Sequence, residues 1–66
     1  MSRSEAMNSV PLEKRQEIFL AVVEAQDQGL SVEDARDHAA RLFAVTPAQV
    51  KAIESEGVDN EWPPLS

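Results

Sequence analysis

Gln49 and Lys51 carry the most specific chemistry this chain has to offer, because both stand early in a segment that reads as a helix opening after a turn. A glutamine amide can pair with adenine at two points, and a lysine ammonium can meet guanine or a phosphate. Ala48, Ala52 and Ser55 complete the outward side of that segment, and Thr46 at its start can reach a phosphate. Other constellations are poorer. His38 is the single histidine and there is no cysteine, so no metal-ligand set is spelled out. Glu33, Asp34 and Asp37 are close enough to suggest paired carboxylates, but Arg36 and Arg41 stand among them on an expected solvent face, which reads as solvated charge. With no nucleophile beside a base and no glycine-rich phosphate loop, the expectation is a protein that is not an enzyme, with no catalytic residue and no cofactor.

Three helices would position these groups. Ser9, Pro11 and Glu13 write a helix start, with serine as cap, proline at the first helical position and acid near the positive end of the dipole. The spacing predicts a helix from about Pro11 to Gln28 with Leu12, Ile18, Phe19, Val22, Val23 and Ala25 in one apolar arc and Leu20 on its flank. Gly29 and Leu30 then read as a left-handed stop followed by its apolar contact. Ser31 and Asp34 stand at capping-box spacing, which starts a second helix near Val32 with Val32, Ala35, Ala39, Leu42 and Phe43 as its buried stripe.

Signals for the third helix are the most complete. Thr46 is the N-cap, Pro47 the first helical residue, Gln49 the capping-box partner, and Val45 a staple to Val50. Val50 and Ile53 give the apolar stripe, and Gly57 is expected to end the helix. The fold class expected is therefore all-α, a three-helix domain over residues 9–58 with helices two and three as a helix-turn-helix. Residues 1–8 read as a disordered leader, without the basic start and apolar run of a secretory signal. Residues 59–66 read as an extended tail, because Pro63 and Pro64 cannot continue a helix, with Trp62 expected to dock on the helices. The competing use of that tail is display: Trp62, Pro63, Pro64 and Leu65, together with Leu20, would then meet a protein partner.

Phe43-Ala44-Val45-Thr46, followed after three positions by Val50-Lys51-Ala52-Ile53-Glu54, resembles the helix-turn-helix in the fourth region of bacterial primary sigma factors. That family has a Phe-Gly-Val-Thr turn leading into a recognition helix of Ile-Arg-x-Ile-Glu type, and Ala39, Ala40 and Leu42 fit the small and aliphatic positions of its first helix. The resemblance covers about twenty residues and implies DNA binding in transcription. Two departures stand out: Ala44 replaces the turn glycine, and the recognition segment lacks the family's arginines.

Charge bears on the same question. The 66 residues hold twelve Asp plus Glu against six Lys plus Arg, a formal charge of −6, and every predicted helix carries more acid than base. A polyanion attracts lysine and arginine stripes, and none emerges. Two readings follow: a transcription-related module that reads duplex DNA through Thr46, Ala48, Gln49, Lys51, Ala52 and Ser55, or an acidic protein-interaction module on the same scaffold, with a homodimer among its assemblies. No window is apolar enough to span a membrane, and the absence of cysteine suits a cytoplasmic setting.

Overall fold

A computed structural model describes residues 10–65, so the expected leader and the Ser9 cap lie outside the described residues. Three helices follow one another: α1 Leu12–Asp27, α2 Val32–Phe43 and α3 Pro47–Asp59, and each touches the other two. Pro11 is the N-cap of α1 in an extended conformation, not its first helical residue, and it offers no capping side chain. Ser31 caps α2, its Oγ accepting from the Asp34 amide at 3.1 Å.

Ile18, Phe19, Val22 and Ala25 of α1, Ala35, Ala39 and Ala40 of α2, and Val50 and Ile53 of α3 form the core, closed by Val10 and Trp62. Ile18, Val22 and Val50 are fully buried, and each such side chain is worth about 1.5 to 3 kcal/mol of removal from water. The three alanines let α1 and α3 approach α2 closely. Three members of the expected stripes are instead exposed: Leu12, Val32 and Leu42. Leu12 and Val32 are the first residues of their helices, where one turn has no neighbour before it, and Val10 joins the core while Leu12 does not. The buried face of α2 is Ala35, Ala39 and Ala40, and Leu42 lies outside it.

All three helices stop on a residue in the left-handed region, and each stop is followed by an apolar side chain. After α1 it is Gly29, φ 107°, with the Gly29 amide donating to Gln26 and the Leu30 amide to Ala25. After α2 it is Ala44, φ 58°, where the Ala44 and Val45 amides both donate to the Ala40 carbonyl. After α3 it is Glu61, φ 53°, with the Glu61 amide on Val58 and the Trp62 amide on Gly57. These bonds absorb carbonyls that a helix end otherwise leaves unpaired.

Gly57 does not end α3; it lies inside the helix and is buried. A Cβ there would fall on the Phe19 ring, 2.6 Å from Cε1 and 2.8 Å from Cγ, so the missing side chain is what lets α1 meet α3. Trp62 covers the same ring from its edge, with centroids 5.9 Å apart and planes at 82°. The prolines that follow sit in a turn, closed by the Leu65 amide on the Trp62 carbonyl at 2.8 Å, and not in an extended run.

Two substitutions test this account by thermal or urea unfolding. Gly57→Ala should destabilise by about 1 to 3 kcal/mol through overpacking against Phe19, although helix propensity alone would favour alanine by about 1 kcal/mol. Ala44→Gly should stabilise by about 1 kcal/mol, since a Cβ in the left-handed region costs about 1 to 2 kcal/mol and glycine avoids it.

Candidate functional site on the outer face of α3

The turn that presents α3 is built from local bonds. Ala44 reverses the chain, Val45 packs on the core, and Thr46 opens the helix with a reciprocal box: Thr46 Oγ1 accepts from the Gln49 amide at 3.1 Å, and Gln49 Oε1 accepts from the Thr46 amide at 2.8 Å. Gln49 is therefore half-buried and its carbonyl oxygen is committed. A two-point pairing with adenine needs that same oxygen, so base reading by Gln49 and capping of α3 compete.

Val50, Ile53 and Gly57 face inward, which leaves Ala48, Lys51, Ala52, Ser55 and Val58 together on the outer side, all exposed. Beside them α2 contributes a wall, and the two helices enclose an open groove. One part, about 310 Å³, is lined by Glu33, Arg36, Asp37, Pro47, Ala48 and Lys51. It runs on into a second part of about 300 Å³ that shares Arg36 and Lys51 and adds Glu54, Ser55, Val58 and Asp59.

Two bidentate ion pairs fix α3 against its neighbours. Arg36 of α2 donates through Nε and Nη2 to Glu54 Oε2 and Oε1 at 2.6 and 3.3 Å. The Glu54 hydrogen bond raises the Arg36 pKa above its already high ordinary value; burial partly opposes this, and the charges of Glu54 and Glu33 add to it. Arg15 of α1 donates through Nε and Nη2 to Glu56 at 2.9 and 3.0 Å, and its Nη1 donates to the Val10 carbonyl at 2.7 Å. Lys14 lies 3.8 Å from Glu17 and 5.5 Å from the Phe43 ring centroid. Among the described residues, Arg41 and Lys51 are the cations without a carboxylate partner.

The six residues expected to read DNA thus separate. Ala48, Lys51, Ala52 and Ser55 share the open face, while Thr46 and Gln49 hold the helix start. The alternative partner set separates too: Trp62 is buried against Phe19, whereas Leu20, Pro63, Pro64 and Leu65 are exposed. His38, Glu33, Asp34 and Asp37 are exposed, and among the described residues no group of three His, Cys, Asp or Glu side chains is placed to hold a metal. No buried side-chain nitrogen or oxygen among them lacks a partner, so the polar chemistry on offer lies at the surface. The chain matches no family model, no curated protein and no solved structure. No helix among the described residues is long and apolar enough to cross a membrane.

The two arginine bridges are not legible in the sequence. Glu54 and Glu56 of α3 are each bound to an arginine, 18 and 41 positions away. No local spacing announces pairs at that separation. The reciprocal cap is open to a direct test. Thr46→Ala should cost about 1 kcal/mol and fray the first turn of α3, measured as lost stability and faster amide exchange at Ala48 and Gln49.

Proposed function

We propose that the chain is a helix-turn-helix module that works by holding another protein on the outer face of α3, in a cytoplasmic, transcription-related setting. The observation that carries this reading is the fate of the cations. Arg15 and Arg36 are bound to Glu56 and Glu54, so Lys51 is the one cation without a carboxylate partner on that face among the described residues. Binding to the phosphate backbone draws on several lysines and arginines together, and one lysine in a groove that Asp37 and Asp59 also line falls short of that. Small residues at positions 48, 52 and 55 suit close approach of a partner element, and exposed Val58 adds apolar contact at the far end of the helix.

Duplex DNA is the second reading, favoured by the tight turn at Ala44, the capped start of α3 and the resemblance to sigma-factor region four. A low-salt amide-shift titration with mixed-sequence duplex separates the two, since electrostatic binding is strongest there. The protein reading expects the α3 amides to stay in place; saturable shifts at Ala48, Lys51, Ala52 and Ser55 would establish the DNA reading instead. A photocrosslinking residue at Ala52 provides the positive arm in the source cells. It should capture one discrete protein that the same probe at Leu20, on the outer side of α1, does not.

A further inference from the structure

The groove between α2 and α3 has a charge pattern that narrows its occupant. Glu33 and Asp37 stand one turn apart on the α2 wall, exposed and with no lysine or arginine in salt-bridge contact. Asp59 stands at the far end in the same state. Arg36, which lies between them, has its guanidinium committed to Glu54, and Glu33 acts on it only through its field. Lys51 is left as the opposing charge on the floor. Three carboxylates without an ion pair therefore line the groove with one such ammonium, and Ala48, Ser55 and exposed Val58 add small and apolar lining from α3.

We infer that this groove receives a cationic helical segment of a partner protein, an inference that rests on the protein-binding reading above. Lysines or arginines one turn apart on such a segment meet Glu33 and Asp37, and a further cation meets Asp59. Small side chains between them lie on Ala48 and Ser55, at the short axis distance that alanine and serine allow. Charge pairing of this exposed kind sets encounter rate and salt dependence more than it sets final affinity. An anionic segment would have one lysine to meet and three carboxylates to overcome.

The outer side of α1 supplies an internal control, because among the described residues Glu13 and Glu24 are exposed there with no ion-pair partner and do not line the α2–α3 groove. The test uses the labelled full chain at low salt and a short acetylated alanine helix bearing lysines one turn apart, with its glutamate counterpart and a duplex DNA as further arms. Amide shifts from the lysine helix should centre on Glu33, Asp37, Lys51, Ser55 and Asp59. Asp37→Asn with Asp59→Asn should weaken binding about tenfold, against less than about twofold for Glu13→Gln with Glu24→Gln. Shifts spread evenly over the α1 acids, or no response to the lysine helix, overturn the groove assignment while leaving the protein reading standing. Occupation of the groove by the glutamate helix overturns the cationic partner alone. Silence with both peptides and saturation of α3 by the duplex overturn this inference and the protein reading together.

Discussion

The ring of Phe19 occupies the space where a side chain on residue 57 would stand, and Trp62 closes that ring from its edge. This three-residue contact sets how near α1 lies to α3, and with it the reach of Arg15 to Glu56 and of Val10 to the core. A chain of this size draws about 3 to 5 kcal/mol from its core, so one aromatic residue seated on a helix backbone is a large share of the whole. The price is sensitivity: the ring is buried, with Gly57 and Trp62 against it, so a methyl group at residue 57 has to displace packed atoms.

Helix ends show the second constraint. Each of the three relies on a left-handed residue and an apolar successor, yet only the first uses glycine. Alanine at 44 and glutamate at 61 hold the same geometry at higher conformational cost, kept in place by carbonyl capture and by the burial of Val45 and Trp62. The end of α1 was legible in the sequence because glycine advertises this conformation. At Glu61 nothing in the residue type does so, and Gly57, which does advertise a stop, is used for packing instead.

Legibility follows range. Ser31 with Asp34, and Thr46 with Gln49, lie three residues apart and their bonds form as spacing predicts. Ala44 can be read as a turn residue from its neighbours. By contrast, the role of Gly57 depends on a phenyl ring from another helix, and the exposure of Leu42 on how two helices flank a third. The face of α3 is an intermediate case. Periodicity placed Ala48, Lys51, Ala52 and Ser55 outward, but it could not show that Gln49 spends its carbonyl on the cap, or that Glu54 and Glu56 are neutralised by arginines from α2 and α1.

Trp62 is the chain's only tryptophan, buried edge-on against Phe19 of α1 just past the end of α3. Its fluorescence is accordingly a gauge of whether that contact is closed. For a partner that carries no tryptophan and no quenching group, a shift of that emission reports a change around the Phe19 ring, so the signal speaks to the packing of α1 on α3.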